Sequence, residues 1–430
     1  MGYFHRNLTD EIKKWLDRRE VLAIKGPRQS GKTTLLHIIE DYLVTAKKVE
    51  KEDIIYLTFE DRDVLDAFSR DPKGFIRSYI SRKNKRLYFL IDEFHYLKEG
   101  GQKLKLLYDL YENIKFVITG SSSLEITGST AKYMVGRVFS FHLFQFSFSE
   151  FVETKERNLY NAYRENAEIL KEFIEEGRNF RVKEDIFEKD FSRYFEEYTR
   201  FGGYPEIIKT NDIETKKIIL KNIYDTYITR DIVDLLRVDN VSNFRIMVAM
   251  LANEIGGLLN YNSLAADTGS YFRQIKQYLS VLEETYVIRV LRPYFSNMTT
   301  ELKKNPKVYF VDTGLRNYII RNFNEISLRS DAGKLVENAV LSGFFQKDNP
   351  SIKYWRTTGR AEVDFILDIE GETIPVEVKY SRLKSPEVSR GYRNFINQYK
   401  PGRAVVLTKG FWGKAEINGT KIGFVPVWYI

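Results

Sequence analysis

The chain contains no cysteine. Disulfides and thiolate metal sites are therefore excluded, and the composition fits a reducing compartment. Histidine is scarce: His5, His37, His95 and His142 lie far apart and show no zinc-type spacing. Any bound metal is then expected to be a hard cation held by carboxylates. Long apolar runs are also missing. Runs such as Leu87–Ile91 are strand-length, well short of the roughly 20 residues a membrane-spanning helix needs. The N-terminal stretch MGYFHRNLTDEIKKWLDRRE is charged throughout and lacks the apolar core of a secretory signal. These absences predict a cytoplasmic protein with no membrane partner. There is no internal repeat and no low-complexity linker.

What is present is bulk and basic charge. The chain has 430 residues, with 43% apolar and 29% charged. That composition is neither disordered nor membrane-embedded, and the length predicts two to four domains. The net charge is +8 at pH 7. A basic balance suggests a polyanionic partner, with nucleic acid the first candidate.

Residues 1–150 alternate strand and helix signals. Val21–Lys25, Ile54–Phe59, Leu87–Asp92 and Lys115–Thr119 read as strands, and Lys32–Asp41 and Gln102–Tyr111 as helices. That alternation predicts a parallel sheet covered on both faces. Directly after the first strand comes Gly26-Pro27-Arg28-Gln29-Ser30-Gly31-Lys32-Thr33, followed by Thr34. It fits the pattern G-x-x-x-x-G-K-[ST] between a strand and a helix. The glycines let backbone amides turn toward phosphate oxygens, and Lys32 supplies a point charge to the β and γ phosphates. Thr33 offers its hydroxyl to Mg²⁺, and the helix N-terminus adds its positive dipole. Asp92 and Glu93 close the strand Leu87–Asp92, at the sheet edge where such folds bind ligands. Asp92 is expected in the Mg²⁺ shell, and Glu93 as the group that orients or deprotonates the attacking water. Phe116–Thr119 runs into Gly120-Ser121-Ser122-Ser123, whose polar groups either sense the γ-phosphate or form a plain turn.

The remainder is expected to form three further segments. Residues 151–237 read as helical, a lid or an inserted spacer. Residues 238–325 look like a winged helix-turn-helix. Asn262–Ser263 reads as the N-cap of a short helix, Leu264–Asp267, and Tyr271–Glu284 as a second helix. Ile275, Tyr278, Leu279 and Leu282 form the apolar stripe of that second helix. Its outer face carries Arg273, Gln274, Lys276 and Gln277, which suit phosphates and base edges in a major groove. Strands at Tyr286–Leu291 and Lys307–Val311 would follow, joined by the loop Pro293–Pro306. Residues 326–430 return to mixed α/β, with a helix at Lys334–Gln346 and strands near Ile352–Trp355, Glu362–Leu367, Thr373–Tyr380 and Arg403–Thr408.

That last segment holds a set of carboxylates. Asp364 lies on one predicted strand. Glu377 and Lys379 lie on the next, where strand alternation places them on one face. Glu337 lies on the preceding helix. Three acids of this kind are a plausible oxygen site for Mg²⁺, which would activate a water and polarise a phosphodiester. Lys379 would stabilise charge developing on phosphate oxygens. Arg382, Lys384, Arg390 and Arg393 follow and could hold a nucleic-acid backbone. The bland alternative is a solvated acidic face.

The order of phosphate loop, strand-Asp-Glu and strand with a polar tip resembles the AAA+ ATPases over roughly the first half of the chain. That resemblance implies an arginine completing the site, often in trans from a neighbouring subunit of a homo-oligomer. Arg137 is the first candidate and Arg230 the second. Glu337, Val363-Asp364 and Glu377-Val378-Lys379 resemble the motif of the PD-(D/E)xK, restriction-endonuclease-like nucleases, with Val363 where a proline often stands. As a whole the chain resembles a family of archaeal and bacterial AAA+ ATPases with a nuclease-like C-terminal domain. Gly202-Gly203-Tyr204-Pro205-Glu206, Tyr309–Gly314 and Tyr354-Trp355-Arg356 are also typical of it. The resemblance implies an α/β multidomain protein: a P-loop parallel-sheet core, a helical lid, a winged helix and a restriction-endonuclease-like domain. It leads to an ATP- and Mg²⁺-dependent protein that binds DNA and cuts it with Mg²⁺ or Mn²⁺. The alternative is an ATP-dependent switch or scaffold whose nuclease-like domain only binds.

Overall fold

A computed structural model describes residues 3–80, 85–120, 133–232, 240–294, 305–347 and 351–430. The side chains of residues 229–231 lie outside that description. The chain divides into two compact units, Met1–Phe146 with Glu284–Tyr286, and Ser147–Glu283 with Val287–Ile430.

The first unit is built on five strands: β1 (Val21–Lys25), β2 (Ile54–Thr58), β3 (Leu87–Asp92), β4 (Ile114–Gly120) and β5 (Val138–His142). They form one sheet in the order β2-β3-β4-β1-β5, parallel at every pairing. β1, β3 and β4 are buried along their whole length. Their alternate residues feed two separate cores. Val21, Ala23, Phe89, Ile91, Phe116 and Ile118 face one side with Leu104 and Leu107 of the Gly100–Leu110 helix. Leu22, Ile24, Leu90 and Val117 face the other with Leu35, Leu36 and Ile39 of the Lys32–Thr45 helix. Burial on both faces is why these strands read as continuous apolar runs. β5 was not expected from sequence. It is an edge strand with partly exposed positions, and its run VFSFH carries no long apolar signal.

In the second unit, helices occupy Phe148–Lys155, Arg157–Glu175, Glu188–Phe201, Pro205–Lys209 and Ile213–Ile223. The first opens with a capping box from Ser147 and Glu150. Then come helices Val241–Asn253, Tyr261–Asp267 and Phe272–Glu284 and the antiparallel pair β6 (Ile288–Leu291) and β7 (Lys307–Phe310). Ile275, Tyr278, Leu279 and Leu282 are buried together in the core of these helices. The N-cap expected at Asn262–Ser263 lies two residues earlier. The Asn260 side chain accepts from the amides of Asn262 and Ser263, so those residues donate rather than cap.

A six-stranded sheet completes the unit in the order β12-β13-β11-β10-β9-β8. Its strands are β8 (Ile352–Arg356), β9 (Glu362–Ile369), β10 (Glu372–Lys379), β11 (Arg403–Thr408), β12 (Gly413–Ile417) and β13 (Thr420–Pro426). The Arg390–Tyr399 helix packs Phe395 and Ile396 into its core. That helix and the β12–β13 hairpin carried no expectation from sequence.

The structure supplies a reason for two stretches that had only family likeness. Asp312 caps the Thr313–Ile319 helix, and its carboxylate accepts N–H bonds from Leu315 and Gly203, each at 2.8 Å. It thereby ties the Gly202–Pro205 turn to the end of β7. Gly314 stands where any Cβ would meet the Phe201 carbonyl oxygen at 2.0 Å. The two stretches are halves of one backbone clasp.

Candidate functional site

The phosphate loop leaves the C-terminal end of β1 and enters the Lys32–Thr45 helix. Gly31 begins that helix at φ 95°, a conformation a side chain would strain. Lys32 is buried, and its ammonium donates to the carbonyls of Gly26 and Pro27 at 3.1 and 2.9 Å. Burial lowers its pKa, against the charges of Glu93 and Asp92. Thr33 donates its hydroxyl to Asp92 Oδ2 at 2.6 Å, and Tyr56 approaches the same oxygen at 3.3 Å. Thr119 bonds the other oxygen, Oδ1, which also accepts the Glu93 amide at 3.2 Å. Among the described residues, the hydrogen-bond donors to Asp92 are thus all neutral. A hard cation joining Asp92 to the Thr33 hydroxyl fits this donor set.

Glu93 sits at φ 51° just past β3. Its Oε2 lies 2.9 Å from His95 Nδ1. Burial would raise the Glu93 carboxyl, but His95 and the Lys32 charge outweigh it and hold the pKa below its ordinary value. The loop is braced from behind by Arg6. Its guanidinium donates to the Ser30 carbonyl at 2.9 Å and the Phe144 carbonyl at 2.7 Å, over the Phe146 ring.

The second candidate site lies in the other unit. Asp364 on β9 accepts the Val378 amide at 2.8 Å. Loss of solvent and the neighbouring Glu337 raise its carboxyl well above the usual range, against Lys307 and that amide. Glu377 on β10 is raised by burial, partly offset by hydrogen bonds from Ser389 and by Lys379. Its Oε2 is buried without a partner. Glu337, on the Ala332–Gln346 helix, is engaged by Lys307, whose ammonium lies 3.2 Å from its Oε1, and by the Tyr309 hydroxyl on the same oxygen. Lys307 also pairs with Glu362 at 2.5 Å. Among the described residues no three histidine or carboxylate groups are arranged to hold a metal ion. Glu337, Asp364 and Glu377, expected as a metal set, do not form such a group among the described residues. The three acids do share one electrostatic neighbourhood, but the cation beside them is a lysine.

With this geometry in view, the chain can be compared with known proteins. Residues 18–152 match the family model of an AAA domain. Residues 192–326 and 332–424 match two families described as domains of unknown function, DUF8612 and DUF4143. An uncharacterized protein of Haemophilus influenzae is 24% identical over 432 residues, spanning 99% of this chain and 98% of its own. One from Methanocaldococcus jannaschii is 27% identical over 408 residues, 92% of this chain and 82% of its own. Among solved structures, the Aeropyrum pernix ORC2 protein in its ADP form is similar at 13% identity and TM-score 0.33, covering 66% of this chain and 85% of its own. The Aeropyrum pernix ORC1 protein in complex with DNA is similar at 12% identity and TM-score 0.28, covering 74% and 93%. Scores this low carry no functional argument.

The AAA domain brings Lys32, Thr33, Asp92 and Glu93 together at the C-terminal edge of its sheet. Arg28 and Gln29 line the outer loop, Gln29 at φ 60°. Thr34 is exposed on the first turn of the helix. Arg137 is not brought to this loop. It precedes β5, and its carbonyl accepts the amide of Val21 at the start of β1, so it lies at the opposite end of the sheet. Its guanidinium pairs with Asp109 at 3.4 Å. The Ser121–Ser123 tip and the side chain of Arg230 lie outside the described residues, as does most of the Pro293–Pro306 loop. Sequence reading missed Arg6, Tyr56 and His95. Arg6 bonds backbone carbonyls 24 and 138 residues away, which leaves no sequence signal. His95 follows Glu93 by two residues and was visible, but only its position beside the carboxylate gives it meaning. Among the described residues, no helix is long and apolar enough to cross a membrane.

Proposed function

We propose that this chain is an ATP-hydrolysing AAA+ switch that acts on DNA. The observation that carries the reading is the Thr33–Asp92 pair at 2.6 Å, closed around by neutral hydroxyls next to the Lys32 loop. With nucleotide bound, Lys32 would turn from the loop carbonyls to phosphate oxygens. Thr33 and Asp92 would hold Mg²⁺, which would supply charge neutralisation on the phosphates. Glu93 is kept anionic at neutral pH and orients the attacking water. Arg137, remote from its own loop, serves a neighbouring copy. The test is ATP turnover of Glu93→Gln beside a binding measurement. Binding should persist while turnover falls by about a hundredfold. Unchanged turnover would remove Glu93 from the reaction.

DNA is the proposed partner on three supports: the net charge of +8, the winged-helix reading of residues 238–325, and the exposed face of Phe272–Glu284. Arg273, Lys276 and Gln277 are exposed on that face, whereas Gln274 donates to the Tyr278 hydroxyl at 2.7 Å. Arg382, Lys384, Arg390 and Arg393 are exposed after β10 and add basic charge at the surface. No DNA affinity at low salt would sink this part.

For the nuclease-like segment the non-cleaving reading is favoured, because Lys307 already pairs with Glu337, one of the three acids a metal would need. The cleaving reading keeps one support, the buried Glu377 oxygen without a partner near Asp364 and Lys379. Cleavage of duplex, nicked, branched and single-stranded DNA with Mn²⁺, lost in Asp364→Ala, would restore it.

A further inference from the structure

We infer that Lys307 is the resident cation of the carboxylate pocket, and that its ammonium keeps a divalent metal out of the C-terminal sheet domain. The placement begins with strand alternation. β7 projects Lys307 and Tyr309 on one face, and both reach Glu337. β7 is fixed there by the residue next to Glu337. The Asn338 carboxamide accepts the Phe310 amide at 2.9 Å and donates to the Phe310 carbonyl at 2.6 Å, imitating a neighbouring strand. At its other end β7 is held by the Leu259 amide on the Pro306 carbonyl at 2.7 Å and the Gly256 amide on the Val308 carbonyl at 2.9 Å. The backbone that carries Lys307 therefore cannot move away without breaking these bonds.

The ammonium bridges two acids from different elements, Glu337 of the helix and Glu362 of β9, with its side chain 1% exposed. The Tyr354 ring lies 5.3 Å from it and closes another side. Burial alone would lower the lysine pKa; the charges of Glu337, Glu362 and Asp364 reverse that and hold it above its ordinary value. Two donors already occupy the same Glu337 oxygen, Oε1. A divalent ion entering here would face a fixed positive charge a few ångströms away in a low-dielectric setting, and it would have to strip Lys307 of its partners. Among the described residues, Lys379, the cation the motif supplies, makes none of these contacts and acts instead on Glu377, whose pKa it lowers.

The pocket thus works as a clamp that joins the β6–β7 hairpin to the C-terminal sheet. The test is Mn²⁺ binding to the nucleotide-free full-length chain, read from the electron paramagnetic resonance signal of free Mn²⁺. Wild type should show no site that Asp364→Asn removes. Lys307→Met keeps the side-chain volume and removes the charge. It should gain one Mn²⁺ site that wild type lacks, and Lys307→Met/Asp364→Asn should lose it again. Lys307→Arg retains the cation and should resemble wild type. An Asp364-dependent Mn²⁺ site in wild type would overturn the proposal, and that arm needs no folded lysine variant. A folded Lys307→Met without the gained site would overturn it equally, since the lysine would not then be what excludes the metal.

Discussion

Each unit of this chain holds a buried lysine beside carboxylates, and the two arrangements differ in what the lysine rests on. In the AAA domain Lys32 rests on the carbonyls of Gly26 and Pro27, while Asp92 is held by hydroxyls and an amide. In the C-terminal sheet Lys307 rests on the carboxylates themselves. Carbonyl contacts to an ammonium are readily exchanged for phosphate oxygens, and a carboxylate with only neutral donors still lacks a counter-ion. A carboxylate already paired with a buried lysine does not. The same residue types therefore make a site prepared for a metal–nucleotide pair in one unit and a closed ion pair in the other.

The comparison breaks most sharply at Lys32. Lys32→Ala should lower ATP turnover by about a thousandfold, measured by phosphate release with circular dichroism as the folding control. A small effect would mean that Lys32 only ties the loop to itself. Asp312 sharpens the comparison from a third direction, as a buried acid without a lysine, satisfied by backbone amides. Burial raises its pKa to about 6, against the Gly203 and Leu315 amide bonds that lower it. The native chain then binds the extra proton between the unfolded and folded values. Stability should fall as pH rises from about 4 to 6, by roughly 2–3 kcal/mol. Asp312→Asn should flatten that slope in urea unfolding across this window.

Smaller effects concern partners. Arg137→Ala should reduce turnover by about tenfold or more with ATP binding retained. Mixing it with Lys32→Ala should recover activity, because each variant supplies what the other lacks. Failure to recover would leave Arg137 as the partner of Asp109 alone. Arg273→Ala/Lys276→Ala should weaken DNA binding modestly and reduce the slope of log affinity against log salt by about one per lost phosphate contact. An unchanged slope would move the DNA surface away from the Phe272–Glu284 helix.

The central strands and the phosphate loop were legible in the sequence because their signals are local. β1, β3 and β4 are buried on both faces and so are apolar throughout. The edge strands β5 and β12 were not legible, since partly exposed strands alternate weakly and resemble loops. Gln274 read as an exposed contact, yet it spends its amide on Tyr278 one turn away. The carboxylates were legible as a pattern; what neutralises them was not.

By itself the sequence determined the nucleotide loop, because eight contiguous residues between a strand and a helix fix both its backbone path and its lysine. It also determined which acids and bases the C-terminal segment carries. Only the tertiary structure decided what those acids face. Their cation comes from a strand 30 residues before Glu337, held in place by Asn338 and by backbone bonds to Gly256 and Leu259. An electrostatic field is set by distances in space, and no spacing along the chain encodes the approach of one ammonium to two carboxylates.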